Sequence, residues 1–335
     1  MPRPGRHALN PREMLNSSRS PLDNHLTTGY PFCKVKVYIG VVAKMSTMEA
    51  DMNVEKWRIL LNAVDSGSMA AVAAQTNYTT SGVSRIITTL EEEIGFPLLV
   101  RHHRGVTPTN ECRLLLPDVR AFLHAEEKLR QQVAQLNGLE IGSLTIGTAY
   151  SSSYPMLTRQ VVKFVERYPN IKVSVLWGYN RELRQAVAER RIDLCLVSRG
   201  GEELDWIPFR KDRMMVLVGE GHPRAGEKMF PVEALAAEPY IDICSNQETD
   251  ADQVLARYGV EPNTKFTTSD RYAAHELVRA GLGVTLVNET QILPEQQGIR
   301  AIPLSPPQMV EIGLACLPQA TLATRRFIRF WKEGN

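Results

Sequence analysis

The chain has 335 residues, 43% of them hydrophobic and 23% charged, with a formal net charge of +2. These values describe a globular protein of two or three domains, exclude disorder throughout, and leave any nucleic-acid partner to be argued from local charge. No apolar run approaches the roughly 18 residues of a membrane span, so no membrane partner is expected.

Residues 1–51 stand apart, with seven Lys or Arg against four acids, a local charge of +3, and several prolines. They read either as a disordered basic extension or as a misassigned start, because Met45, Met48 and Met52 all precede the first clear helix.

Residues 52–110 are densely punctuated. Val54, Trp57, Leu60, Leu61 and Val64 recur at helical spacing up to Gly67. Ser68 can cap the short helix MAAVAAQ, and Thr79 or Thr80 can cap the next, in which Val83, Ile87, Leu90 and Ile94 form a core face up to Gly95. Two helices joined by a turn of about three residues have the spacing of a helix-turn-helix. Beyond Pro97, FPLLVRHHRGVTPTN reads as strand, Arg-Gly turn and strand: a wing.

The outer face of that second helix is rich in hydroxyls and has no acid until Glu91, Glu92 and Glu93. Thr79, Thr80, Ser81 and Ser84 are short enough to approach base edges in a major groove, and Arg85 is placed for a phosphate. On the wing, Arg101, His102, His103 and Arg104 suit the backbone or a narrow minor groove. Segment 52–110 is neutral overall, so the DNA reading rests on where its charges fall.

This run, with Gly67-Ser68, Ala73, Ser84-Arg85, Leu90-Glu91, Gly95, Pro97-Leu98, Arg101, Arg104 and Thr107-Pro108-Thr109, resembles the winged helix-turn-helix of LysR-type transcriptional regulators. The similarity extends in element order over residues 52–335. One departure is Thr79-Thr80-Ser81-Gly82, where the family usually has Ser-Gln-Pro-Ala or similar, which leaves the recognised base sequence open.

Residues 111–138 read as a linker helix. Leu115, Phe122, Leu129 and Leu136 repeat at seven, with Val119 and Val133 on a second track. Such a seam pairs either with a second subunit or with the chain's own domain; the resemblance implies a homodimer, and beyond it a homotetramer.

From residue 139 to 335 short β runs (SLTIGT, IKVSVLW, IDLCLVS, MMVLVGE, GVTLVN) alternate with helical patterns, which predicts parallel α/β sheets in two clusters divided near residue 215. The C-terminal TLATRRFIRFWKEG is expected to return to the first cluster. The resemblance implies a two-lobed, periplasmic-binding-protein-like effector domain, making the whole a multidomain α/β protein. Strand ends predict the effector cleft: Tyr150, Ser151, Ser152, Tyr179, Asn180, Ser198, Ser245, Asn246, Thr268 and Ser269. Ser151 and Ser152, just before Pro155, form a candidate anion cradle, with Arg199 the one fixed cation among the strand ends. Tyr150, Trp177 and Tyr179 could instead make the site aromatic.

The five cysteines are scattered without a CxxC pair, as in reduced cytoplasmic proteins, and no metal site is expected. GxSxG, P-loop, HExxH and GxGxxG motifs are all missing from the sequence, which argues against an enzyme. The expectation is a cytoplasmic transcription regulator with no cofactor, binding a dyad-symmetric promoter, a small and anionic effector, itself and RNA polymerase. The alternative is a solute-binding protein without a DNA role.

Overall fold

The computed structural model describes residues 53–200, 203–244, 247–294 and 297–334. The extension 1–51 therefore lies outside the described residues, as do Ser245 and Asn246.

Side-chain caps set the boundaries of the first helices. Helix α1 (Val54–Ser66) starts where Asn53 accepts from the Glu55 amide, and ends at Gly67 with φ of 65°. Helix α2 (Met69–Gln75) is capped by Ser68 and α3 (Thr80–Ile94) by Thr79, whose hydroxyl accepts from the Gly82 amide at 3.1 Å. Strands β1 (Leu99–His102) and β2 (Gly105–Pro108) pair antiparallel as a wing. The wing is locked to the end of α1: the Val106 amide donates to the Gly67 carbonyl at 2.9 Å. A Cβ on Gly105 would sit 2.2 Å from that carbonyl oxygen, so only glycine fits there.

Helix α4 (Asn110–Leu136), capped by Thr109, runs 27 residues without a break through Pro117, about 40 Å at a rise of about 1.5 Å per residue. Its first half belongs to the core of the DNA-binding domain. Cys112, Val119 and Leu123 are buried there with Trp57, Leu60, Val83 and Ile87, and Leu115 and Phe122 pack against the same cluster. Ion pairs Arg58–Glu126 and Arg120–Asp65 join α4 to α1.

This corrects the expected seam. Leu115, Val119 and Phe122 are used within the chain, because three short helices alone cannot enclose their own apolar faces. Of the seam residues, Leu129, Val133 and Leu136 stand out from the helix, at 62%, 49% and 88% exposure; Leu114, off the seam, is exposed as well.

The effector region forms two lobes. In the first, β3 (Gly142–Thr148) lies parallel to both β4 (Ile171–Trp177) and β5 (Leu194–Ser198), with α5 (Tyr154–Arg167) and α6 (Asn180–Ala188) as crossovers. The sheet is not parallel throughout. Strand β6 (Asp205–Gly219) is a 15-residue connector whose first part, to Arg213, pairs antiparallel with β12 (Met309–Cys316). From Met214 onward it pairs antiparallel with β10 (Thr285–Asn288) and β11 (Ile299–Ser305). The expected division near 215 thus falls inside a strand, which periodicity could not show.

The second lobe adds β7 (Phe230–Pro231), the parallel pair β8 (Pro239–Ile243) and β9 (Asn263–Thr268), α7 (Asp250–Arg257) and α8 (Arg271–Arg279). Helix α9 (Leu322–Gly334) returns to the first lobe, burying Ala323, Phe327 and Trp331 against Leu144, Phe164 and Leu314.

Candidate functional site

Two regions carry candidate chemistry. On the start of α3, Thr79, Thr80, Ser81 and Arg85 are exposed. The Thr79 hydroxyl is occupied as the cap and lies 3.0 Å from Ser81 Oγ. Thr80 and Arg85 have no side-chain partner among the described residues, so both are available to a ligand. The helix N-terminus also presents partial positive charge in this direction.

Arg101 differs from expectation. Its guanidinium turns inward from the wing, Nη1 donating to Ser84 Oγ at 2.8 Å and Nη2 to Thr88 Oγ1 at 2.9 Å. Two hydroxyls one turn apart on α3 match its planar fork, so in this conformation Arg101 and Ser84 brace wing against helix. His102 contacts Thr107 Oγ1 at 3.0 Å, while His103 and Arg104 are exposed at the wing tip. Two of the three acids at the far end of α3 are engaged by the protein: Glu91 accepts from the Leu98 and Leu99 amides at 2.7 and 3.0 Å, and Glu93 pairs with Lys56, while Glu92 is exposed.

The second region is the cleft between lobes, a cavity of about 80 Å³. Tyr150, Tyr179 and Asn180 line it from the first lobe, and Asp242, Asp250 and Arg271 from the second. Its centre is a buried carboxylate shared across the lobes. Asp250, 5% exposed at the start of α7, accepts from the Tyr150 hydroxyl at 2.7 Å and from Asn180 Nδ2 at 3.2 Å. Asn180 Oδ1 in turn accepts from the Ser198 amide at 3.1 Å. Burial raises the Asp250 pKa above the ordinary carboxylate value, although the Tyr150, Ser198 and Asn288 dipoles favour its charge. Burial and the same carboxylate also push the Tyr150 hydroxyl well up.

Arg271, at the start of α8, donates from Nη1 to Ser151 Oγ at 2.8 Å. It makes no ion pair among the described residues, and burial lowers its pKa while Asp270 acts in the opposite direction. Asn288, 3% exposed, lies on the cavity wall beside Asp250. Beside the mouth, Trp177 packs edge-on against Tyr179 at 4.8 Å.

Of the predicted cleft residues, the structure therefore brings together Tyr150, Tyr179 and Asn180, with Ser151 and Ser198 one hydrogen bond away. Ser152 is off the cavity wall, with its Oγ buried and unpartnered. Thr268 accepts from the Asp270 amide at 3.0 Å and Ser269 is exposed, neither on the wall. Arg199 is corrected as the cleft cation: it lies on the surface and pairs with Glu311 at 3.0 Å. Sequence reasoning missed Asp250 and Arg271, both of which begin helices, where an acid is explained by the helix dipole and a base reads as a surface residue.

Cys112, Cys195 and Cys316 are buried free thiols, pushed up to about 11, 12 and 11 by burial, which makes them poor nucleophiles.

A winged helix-turn-helix, a long connecting helix and a two-lobed α/β domain with a polar cleft together define a ligand-responsive transcription regulator. The chain belongs to the LysR family: residues 54–113 match its bacterial regulatory helix-turn-helix model and residues 137–335 its LysR substrate binding domain model. Such proteins are DNA-binding regulators with an effector-binding domain, not enzymes. One relative, the uncharacterized HTH-type transcriptional regulator YvbU of Bacillus subtilis, is 26% identical over 287 residues, 84% of this chain and 98% of that protein. A full-length OxyR variant from Pseudomonas aeruginosa shares the fold with a TM-score of 0.66 at 16% identity, covering 84% of this chain and 93% of that one. Full-length CbnR complexed with its target DNA does so at 0.55 and 18%, covering 84% and 100%.

The shared carboxylate makes a pH-dependent contribution with a definite sign. Because the folded Asp250 holds its proton to higher pH than an unfolded aspartate, its contribution to stability falls as pH rises from about 4. Asp250→Asn removes that titration, so denaturant unfolding of the variant should gain stability relative to the native protein as pH rises. A difference between the two that stays flat from pH 4 to 8 would mean Asp250 does not titrate in the clamp.

Proposed function

We propose that this regulator acts in the cytoplasm as a homodimer, assembling further to a homotetramer, on a dyad-symmetric promoter site where it influences RNA polymerase. The exposed Leu129, Val133 and Leu136 on the distal half of α4 support a partner helix, since one helix cannot bury them alone. No helix among the described residues is long and apolar enough to cross a membrane.

The observation that carries the DNA reading is the free, acid-less start of α3 beside a wing whose tip holds Arg104. Thr80 reads bases and Arg85 and Arg104 hold phosphates; Ser84 acts through its bond to Arg101. Thr80→Ala should change preference at particular positions by about 1–3 kcal/mol, whereas Arg104→Ala should weaken all sites and reduce the slope of affinity against salt by about one. Gel-shift titrations on a panel of site variants measure both. Equal losses on every sequence from both variants would reverse the assignment of base reader.

For the effector we propose a small carboxylate, with Arg271 and Ser151 as its seat, in place of the Ser151–Ser152 pair alone. A half-buried guanidinium without an ion pair supports this reading. Asp242, Glu248 and Asp250 on the other walls favour an acid that also carries hydrogen-bond donors. In a thermal-shift screen of small hydroxy and amino acids against neutral aromatics, acids should stabilise the protein, and Arg271→Gln should weaken them about tenfold to a hundredfold. Stabilisation by the neutral set alone, indifferent to Arg271→Gln, would favour an aromatic site built on Tyr179 and Trp177.

A further inference from the structure

A concavity of about 640 Å³ lies where α9, the end of α5 and the stretch after α4 converge, and it shares no residue with the lobe cleft. Arg167, Arg325, Arg326 and Arg329 line it, against two carboxylates, Glu140 and Glu333. Glu140 is already taken by Arg326 at 2.9 Å.

The arginines fall into two pairs. Arg326, with its side chain only 14% exposed, lies 5.2 Å from the centre of the Tyr168 ring, and Arg167 approaches the same ring at 5.8 Å. These two are held in place. Arg325 and Arg329 are exposed one turn apart on α9, and neither guanidinium has an ion pair or hydrogen bond among the described residues. Like charges at that spacing oppose helix formation, and a concave wall focuses their field. The arrangement gains only when an anion arrives. A guanidinium matches paired oxygens in its own plane, and the two unpaired ones, Arg325 and Arg329, with Arg167 and Arg326 behind them, suit an anion of several charged oxygens better than a monocarboxylate.

We propose that this concavity is a second ligand site, for a small anion bearing two or more linked phosphates, with Arg325 and Arg329 gripping it and Arg326 and Tyr168 shaping the wall. Its lining includes Gln135, near the end of α4, and Glu140 just beyond, together with α9 of the first lobe. An occupant therefore touches both the helix that carries the DNA-binding domain and the domain that senses the effector, and its binding shifts affinity for DNA.

The test is titration of the full-length protein with sodium tripolyphosphate at about 0.15 M salt, where long-range attraction is screened. Tripolyphosphate should bind with a Kd below about 1 mM and orthophosphate more weakly. Arg325→Gln with Arg329→Gln should weaken tripolyphosphate about tenfold or more. Arg159→Gln with Lys163→Gln, an equally exposed basic pair on α5 outside the hollow, should leave it unchanged. Far-UV circular dichroism establishes that both variants fold. No binding by the native protein, or equal loss in both double variants, would overturn the proposal. So would an Arg325/Arg329 effect confined to duplex DNA, which would make the surface a nucleic-acid contact.

Discussion

Helix α4 is the constraint on which the two halves of the molecule depend. Its early turns complete the DNA-binding core through Cys112, Val119 and Leu123. Its later turns are tied to the effector region by Gln131, 2% exposed, whose Oε1 accepts from the Ala323 amide at 3.1 Å at the start of α9. His124 adds a contact to the Gln319 carbonyl at 3.1 Å. A buried amide left without such a partner costs about 1–3 kcal/mol, so the junction favours one docking of helix on domain. The first lobe and the DNA-binding domain are thereby joined by one continuous helix instead of a loose tether.

The lobe cleft follows a different logic. Burying a carboxylate is unfavourable unless hydrogen bonds compensate it, and Asp250 gains its bonds from Tyr150 and Asn180 in the opposite lobe. Opening the lobes breaks those bonds but returns the carboxylate to water. A ligand that binds one arrangement of the lobes better than another would shift their populations by its difference in affinity. Arg271 lies beside this clamp with a neutral hydroxyl as its partner, so the carboxylic acid proposed as effector would not compete for the clamp's own donors.

Much of the DNA-binding domain was legible because its signals are local. Asn53, Ser68, Thr79 and Thr109 each cap a helix within a few residues, and Gly67 and Gly95 end two of them. What the sequence could not reveal depends on separation along the chain. Tyr150 and Asp250 meet across 100 residues, and Ser151 and Arg271 across 120. The heptad pattern was ambiguous for another reason: Phe122 and Leu129 are equally apolar, and only the presence of α1 beneath the first decides which is covered. Arg101 pointed outward by composition and inward by geometry, because the pairing of β1 with β2 brings it alongside Ser84 and Thr88.

The central claim is that two copies of this chain place two α3 helices on one symmetric DNA site. Hydroxyl-radical footprinting of the purified protein on genomic fragments selected by binding tests it most directly. The account predicts two inversely related half-sites, protected on the same face of the duplex and separated by whole helical turns of about 10 base pairs. Protection of one isolated half-site, or uniform protection without sequence preference, would contradict it.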